Sequence, residues 1–272
     1  MGRSAHSRDI ESHTWGMNGL LIVNPRSGDD SPSADELVAE AERLGLETHQ
    51  LGEGEDPGDV ARSSQAGTLG MAGGDGSLAS VAEVALERDE PFVCIPFGTR
   101  NHFARDLGLD RDDPIGALSA YDGAERRIDV GRADTRLFLN NVSLGVYARL
   151  VHRREHHRRR SEAFARVRAW AAVLTHRHPL GVTIDGEAVE TRILLVANNA
   201  YSIDFPNVGS RERLDEGNLH LYVPGDERVG ERFVVDAAAG RLEAAVDGEP
   251  DVLKTPVEFR IESRALRVLV PR

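Results

Sequence analysis

Lysine is almost absent from this chain of 272 residues, because Lys254 is the only lysine among 33 basic residues. The absence excludes the GxxxxGK[ST] loop, and it leaves no spare lysine to pair with nucleotide phosphates as in protein kinases. Any phosphate bound by this chain must therefore be held by backbone N–H groups, arginine side chains or a metal ion.

Cysteine and long apolar runs are equally scarce. Cys94 is the only cysteine, so no internal disulfide can form and a reducing, cytoplasmic compartment is expected. No apolar run approaches the ~18 residues that a membrane span needs, and the polar start over 1–17 predicts a disordered tail rather than a signal peptide. The net charge of −12 argues against nucleic acid as a partner, since phosphate backbones are bound by basic surfaces.

The first half of the chain alternates apolar runs with helical patterns, which favours a parallel sheet covered by helices. Ser33 and Glu36 have the spacing of a capping box before one helix, and a second helix is predicted over 77–88. The predicted strands cover 19–23, 47–51, 68–72 and 92–96.

From about Arg126 onward, short alternating runs predict a mostly antiparallel β structure. The pair Asp185-Gly186 predicts a hairpin turn, and a long helical segment is expected over 147–175. The tail at 257–270 predicts two more short strands. The other predicted strands cover 127–130, 137–142, 182–184, 191–197 and 218–223.

Residues 73–77, Gly-Gly-Asp-Gly-Ser, form the most specific motif. Glycines permit positive φ and a close approach to a ligand, while successive N–H groups at the start of a helix favour an anion. Asp75 would be unfavourable beside phosphate unless a metal ion or a hydroxyl is also present. A tight strand-to-helix turn with an aspartate cap is the alternative interpretation.

Two further loops also follow predicted strands. Residues 24–28, Asn-Pro-Arg-Ser-Gly, offer hydrogen-bond donors and an arginine, and residues 96–101, Pro-Phe-Gly-Thr-Arg-Asn, offer another set of donors. Because ligands of open α/β sheets bind beyond the carboxyl ends of the strands, we expect these loops to line one crevice.

These three loops, in this order, resemble those of the diacylglycerol kinase catalytic-domain family, which includes sphingosine kinases and bacterial lipid kinases. Further matches are Ile-Asp-Val-Gly at 128–131, Phe-Leu-Asn-Asn at 138–141, Leu-Asp-Glu-Gly-Asn-Leu at 214–219 and Asp-Gly-Glu at 247–249. The resemblance extends from Leu20 to Pro271, nearly the whole chain.

The resemblance implies an α/β plus β fold. It has an N-terminal Rossmann-like nucleotide-binding domain over 18–125, joined by returning strands from 256–272. A β-sandwich domain follows over 126–255, with the helical insertion at 147–175, and the nucleotide cleft lies between the domains. The implied activity is an ATP- and Mg²⁺-dependent transfer of phosphate to a lipid hydroxyl, such as that of diacylglycerol, within phospholipid metabolism.

The resemblance also assigns roles to residues. Asp75 would lie beside the transferred phosphate, Glu249 would take the proton of the acceptor hydroxyl, and Asp129 would belong to an aspartate network near metal and substrate. A structural Mg²⁺ would be bound by the side chain of Glu216 and the carbonyls of Arg213 and Asn218. ATP would be held by Asn24, Pro25, Arg26, Ser27, Gly28, Gly73, Gly74, Asp75, Gly76, Ser77, Thr99 and Asn101.

Two positions depart from the family pattern. His102 stands where an aspartate is usual, and a neutral imidazole cannot replace a carboxylate as a ligand for a hard metal ion. Either Asp106 or Asp129 takes over that work, or the substrate differs, or activity is lost. The second departure is Glu216, which stands in place of the usual aspartate.

The arginine-rich segment 149–168 reverses the acidic charge of the chain locally. It predicts peripheral docking on an anionic membrane face, where a lipid acceptor would lie, although a solvated helix face is the alternative. The sequence leaves open the identity of the lipid and a homodimer. It also leaves open a kinase for a soluble hydroxyl compound, similar to NAD kinases, and a nucleotide-binding regulator without catalysis.

Overall fold

The N-terminal part of the chain is a parallel sheet with helices on both faces. A computed structural model describes residues 18–28, 32–98, 101–145, 179–202 and 209–272. The elements of this part are β1 (Gly19–Val23), α1 (Ala34–Arg43), β2 (Glu47–Gln50), α2 (Pro57–Ser63), β3 (Thr68–Gly73), α3 (Asp75–Glu87), β4 (Phe92–Pro96), α4 (His102–Asp106), α5 (Pro114–Ala117) and a 3-10 helix (Leu118–Asp122).

Alternation along the strands sets these two faces. In β1, Leu20 and Ile22 pack in one core with α2 and α3. Leu21 and Val23 pack in the other core with α1 and α5. The parallel order β2-β1-β3-β4 places the carboxyl ends of β1, β3 and β4 side by side, and this edge positions the candidate site.

The predicted strands and the predicted capping box of this part are present. Each of the four strands predicted in the first half is present, with ends that shift by at most one residue. The capping box is confirmed, because the Glu36 N–H donates to Ser33 Oγ at 3.2 Å while the Ser33 N–H donates to the Glu36 carboxylate at 2.8 Å.

The second part of the chain is antiparallel. Its elements are β5 (Ala124–Ala133), β6 (Arg136–Phe138), β7 (Asn141–Gly145), β8 (Val182–Ile184), β9 (Glu187–Val189), β10 (Ile193–Asn198), β11 (Leu219–Val223), β12 (Asp226–Gly230), β13 (Arg232–Ala237), β14 (Arg241–Val246), β15 (Glu249–Lys254) and β16 (Val257–Val270). The hairpin at Asp185-Gly186 is confirmed, with both residues at positive φ between β8 and β9.

A β-sandwich forms in this part between a six-stranded sheet and one end of the ten-stranded sheet that also contains the parallel strands. Six strands in the order β12-β11-β10-β7-β14-β15 make one sheet, and its inward side chains pack against those of β8, β13 and β16 in a shared core. The predicted fold class, an α/β domain followed by an antiparallel β domain, is confirmed.

β16 joins the two parts of the fold. Its start pairs with β13, its end pairs in parallel with β4, and β5 runs beside it with a register shift between Glu262 and Leu266. The expectation of two short strands here was wrong, because one bulged strand of 14 residues spans both cores.

Several predictions fall outside the described residues, namely the tail at 1–17, the helical segment 147–175 and the arginine-rich segment 149–168. The domain division at 125/126 stays a prediction, and β5 begins at Ala124. No helix in the described ranges is both long and apolar enough to cross a membrane.

Candidate active site

The three predicted loops meet at the carboxyl edge of the parallel sheet. A methyl group built on Gly98 would lie 2.7 Å from Gly74 Cα, and one built on Gly28 would lie 2.7 Å from a ring carbon of Phe97. Because neither position has room for a Cβ, glycine permits the loops after β1, β3 and β4 to pack against one another.

The loop after β1 is held by its own backbone. The Asn24 N–H donates to the Ala72 carbonyl at 2.9 Å, and Asn24 Oδ1 accepts the Arg26 N–H at 3.1 Å. The Ser27 N–H donates to the Asn24 carbonyl at 3.1 Å, which closes the turn around Pro25. The Arg26 guanidinium donates to the Gly52 carbonyl at 3.2 Å, so its contact is with the loop that follows β2.

The glycine loop differs from its prediction in backbone conformation. Gly74 is the N-cap of α3 with φ −78°, and neither Gly73 nor Gly76 has positive φ. Glycine is needed at position 73 because the Ser77 side chain packs close to its backbone, where a Cβ would overlap the Ser77 hydroxyl. That hydroxyl donates to the Gly74 carbonyl at 2.9 Å.

Asp75 begins α3 and also holds the start of α4. Its two carboxylate oxygens accept the backbone N–H groups of His102 and Phe103, each at 3.1 Å. The aspartate therefore caps a neighbouring helix, an arrangement that neither sequence interpretation contained. Since the contact involves the backbone N–H of residue 102, it does not depend on which side chain stands there.

Asn101 links the third loop to this cap. It has left-handed backbone geometry with φ 48°, its side-chain N–H donates to the Gly98 carbonyl at 2.8 Å, and it is only 5% exposed. Its Oδ1 is buried without a hydrogen-bond partner among the described residues. Thr99, the other predicted ATP contact here, lies outside them.

Glu249 reaches the glycine loop from the other part of the fold. It follows the two-residue turn Asp247-Gly248, in which both residues have positive φ, and it pairs with Val246 across the hairpin of β14 and β15. A Cβ on Gly76 would overlap Glu249 Cγ and lie 2.6 Å from its carboxyl carbon. The exposed Glu249 carboxylate therefore lies against the first turn of α3, beside Asp75.

Asp247 is the anchor of that hairpin, and the sequence analysis assigned it no role. Its carboxylate accepts the N–H groups of Leu139, Asn140 and Asn141 at 2.7, 2.7 and 3.0 Å. Burial raises the pKa of Asp247 to about 6, although the three hydrogen bonds act in the opposite direction.

Asp129 is a junction in the second part of the fold. It is 1% exposed, and its carboxylate accepts the N–H groups of Gly217 and Arg264, both at 2.7 Å. These contacts tie the loop before β11 to the bulge of β16. They indicate a structural role, and the part of Asp129 in catalysis stays a prediction.

The predicted metal loop is closed by protein hydrogen bonds. The Glu216 carboxylate accepts the Ala200 N–H at 3.1 Å and lies 3.4 Å from His220 Nε2. The Asn218 carbonyl accepts the Asn199 N–H at 3.1 Å, and the Arg213 guanidinium pairs with Asp215. Within the described ranges, no set of three or more acidic, histidine or cysteine side chains is arranged around a metal position. These contacts give no support to the site, and Mg²⁺ binding by Glu216, Arg213 and Asn218 stays a prediction.

Asp106 is one candidate to replace the missing carboxylate of position 102. Its side chain is 1% exposed and pairs with the fully buried guanidinium of Arg211 at 2.8 Å and with Arg105 at 2.7 Å. Of the alternatives left open by His102, the one in which Asp106 takes over the carboxylate's work is therefore not favoured by these contacts. Arg211 was not predicted as a site residue, because it lies in a polar loop without a motif and its partners are distant in sequence.

A small cleft extends from Gly76 along α3. Its volume is about 80 Å³, and it is lined by Gly76, Ala79, Ser80, Glu83, Arg136, Leu137, Val246 and Asp247. Polar groups line much of it, and Arg136 and Glu83 are both held in ion pairs, with Asp251 and Arg132.

The family relationship follows from the segment that contains all three loops. The family model described as "Diacylglycerol kinase catalytic domain" matches residues 18–133. This segment is similar to the catalytic domain of diacylglycerol kinases. The resemblance predicted from the motifs is confirmed.

The curated relatives that the chain matches are lipid kinases by name. The chain is 41% identical over 86 residues to a "Probable lipid kinase YegS-like" of Pseudomonas aeruginosa, covering 31% of this chain and 28% of the relative. It is 28% identical over 142 residues to a "Diacylglycerol kinase" of Bacillus subtilis, covering 48% and 47%. The matched segments thus span less than half of these relatives.

The fold comparison covers more of the chain. The crystal structure of a diacylglycerol kinase from Bacillus anthracis superposes with a TM-score of 0.70 and 19% identity, covering 93% of this chain and 96% of that one. At this identity the likeness shows the fold alone. Glu249, Asp247 and Arg211 lie outside the segment matched by the family model, so their placement in the site rests on the geometry.

Proposed function

We propose that this chain is an ATP- and Mg²⁺-dependent kinase that phosphorylates a hydroxyl of a lipid such as diacylglycerol. The observation that carries the proposal is the meeting of Glu249 with Gly76, at the helix start where Asp75 and the three loops converge. This arrangement places an exposed carboxylate beside a set of backbone N–H groups suited to phosphate.

The nucleotide phosphates would lie at the amino terminus of α3. This helix has 13 residues, and its first N–H groups and dipole favour an anion there. Lys254 lies on β15 and is the only lysine of the chain, so backbone groups must do much of the binding. Mg²⁺, arriving with ATP, would supply the remaining charge neutralisation that phosphoryl transfer requires.

Glu249 would act as the general base. The acceptor oxygen attacks the γ-phosphorus, the bond from that phosphorus to the β–γ bridging oxygen breaks, and ADP leaves. The hydroxyl proton passes to Glu249, a contribution that is typically ~10²–10⁴-fold in rate. Asp75 would keep the third loop in place by holding the start of α4.

A lipid acceptor is supported by the names of the relatives, which are lipid or diacylglycerol kinases. In this proposal the protein works in the cytoplasm at the inner membrane face, and the segment 149–168 provides the docking charge. A homodimer is compatible with this arrangement.

One observation favours a soluble acceptor as the second candidate. The cleft beside Gly76 is small and largely polar, so it suits a polar head better than an acyl chain. A lipid would place only its hydroxyl-bearing end there, whereas a soluble alcohol would bind there whole.

The test is Mg²⁺-dependent transfer of labelled phosphate from ATP to a lipid extract and, separately, to an aqueous extract. Glu249→Gln is expected to lose ~10²–10⁴-fold in rate, while the matched surface variant Glu231→Gln keeps the parent rate. Label in the aqueous extract alone would favour the soluble acceptor. ATP binding with no label in either extract would refute the kinase and favour a nucleotide-binding regulator.

A further inference from the structure

We infer that Arg211 is a positioning residue that holds Asp75 and Glu249 at a fixed separation. Its buried guanidinium does so by binding Asp106 on one side and the turn at 139–141 on the other. The inference rests on the proposed function, because it takes these two carboxylates as groups of the reacting site.

The first arm runs from Arg211 to Asp75 through α4. Arg211 pairs with Asp106 at 2.8 Å, and Asp106 is the last residue of this five-residue helix. The first two residues of the same helix donate their N–H groups to Asp75. Five residues span only ~7.5 Å of helix, so a shift of Asp106 is passed to the cap with little slack.

The second arm runs from Arg211 to Glu249 through a turn. The guanidinium donates to the Leu139 carbonyl at 2.6 Å and to Asn140 Oδ1 at 2.6 Å. The N–H groups of the same turn are held by Asp247, which is two residues before Glu249. Glu249 reaches back to Gly76, which is next to Asp75. The two sets of contacts therefore form a closed ring from Arg211 through Asp75 and Glu249, which we call the circuit.

Burial makes this circuit dependent on Arg211. The side chain of Arg211 is 0% exposed and that of Asp106 is 1% exposed. Arg211 also donates to the Asn198 carbonyl at 3.1 Å, so three protein oxygens besides Asp106 depend on one planar group. A lysine cannot reproduce that pattern of directed donors, and water has little access to replace it.

The chain offers a matched control in Arg88. This arginine also donates to three protein oxygens, the carbonyls of Ala61, Ser64 and Ala66, and to one carboxylate, that of Glu90. It lies at the other end of α3 from the glycine loop, ~20 Å away along a helix of this length. Arg88→Met therefore removes a similar set of contacts without touching the circuit.

The first measurement is kinetic. Arg211→Met should lower kcat per nucleotide-binding site by about 10²-fold, the usual cost of ~1 Å of misplacement, with KM for ATP near the parent value because the glycine loop is intact. Arg211→Lys should stay well below the parent. Arg88→Met should lose thermal stability yet keep kcat. Equal losses of kcat in Arg211→Met and Arg88→Met would overturn the inference.

The second measurement needs no activity. Hydrogen exchange at the amides of His102 and Phe103 and of Asn140 and Asn141 should speed up together in Arg211→Met, and stay slow in Arg88→Met. Faster exchange confined to the turn would overturn the inference, since α4 would then be independent of Arg211. Asp106→Asn serves if Arg211→Met does not fold. A parent without kinase activity would refute the proposed function, and the exchange pattern would still decide the role of Arg211.

Discussion

A methyl group at Gly76 tests the position of Glu249 without removing any functional group. Gly76 lies in the first turn of α3 with φ outside the positive range, so alanine is compatible with the backbone there. Its Cβ would overlap Glu249 Cγ and lie 2.6 Å from the carboxyl carbon. In Gly76→Ala the carboxylate must therefore move.

The size of the movement sets the expected loss. Carbon atoms pack at about 3.5 Å or more, so the carboxyl carbon must retreat by about 1 Å. Displacement of that size costs about 10²-fold in rate, or about 2.7 kcal/mol of transition-state stabilisation. Stability should change little, because alanine favours helix over glycine by up to ~1 kcal/mol, which offsets the strain of moving an exposed side chain.

The assay is a double-mutant cycle in kcat with ATP affinity measured alongside. At saturating ATP, Gly76→Ala and Glu249→Gln should each lower kcat, and the double variant should lose no more kcat than Glu249→Gln alone. A Gly76→Ala enzyme with parent kcat would refute the role of Glu249. Additive losses would show that the two residues act separately.

Three further outcomes follow from the same geometry. Gly74→Ala, whose Cβ meets no atom of the described residues within 4 Å, should keep the parent Tm and weaken ATP binding by at least about tenfold, ~1.4 kcal/mol, in a nucleotide titration. Gly70→Ala should lose about 1–3 kcal/mol of unfolding free energy by overpacking, because its Cβ would overlap the Tyr121 hydroxyl, and Tyr121→Phe should recover part of it in denaturant titrations. Burial raises the pKa of Asp247 from 3.8 to about 6, so the folded state binds the proton more tightly than the unfolded state. The unfolding free energy of the parent relative to Asp247→Asn should therefore be highest below pH 4 and fall by up to about 3 kcal/mol as pH rises past 6. A difference in unfolding free energy that does not change with pH would contradict the raised pKa of Asp247.

The parallel sheet was predictable because its strands are buried on both faces and their ends carry strong local signals. β1 is five apolar or glycine residues between Asn18 and Asn24, and β4 is five apolar residues that are all buried. Strands β9, β13 and β14 were not predicted, and neither were β12 and β15. The sequences of β12 and β15, DERVG and EPDVLK, are polar because both strands lie at the edges of their sheet, so the alternating apolar pattern is weak.

The sequence predicts the loops of the candidate site but not the buried residues that hold them in place. Carboxyl ends of neighbouring parallel strands meet at one edge, which brings the three loops together once the strands are assigned. Arg211 and Asp106 are 105 positions apart, and Asp247 is 108 positions from Leu139. No local pattern predicts such pairings, because they are set by how β16 joins the two parts of the fold.

The contacts of Asp106 and Asp75 also limit what the loss of a carboxylate at position 102 can change in the site. A missing carboxylate at 102 would matter most if that side chain organised Asp75, yet Asp75 is held by the backbone N–H of residue 102, which any residue but proline supplies. Asp106 is not favoured in its place, because two arginines already share its carboxylate. Among the described residues, Asp75 and Glu249 then remain as carboxylates at the start of α3 that can take part in the proposed transfer. In the proposed transfer, Mg²⁺ would be held beside ATP without a carboxylate at position 102, so we expect the effect of His102 to be visible in the dependence of kcat on Mg²⁺ concentration.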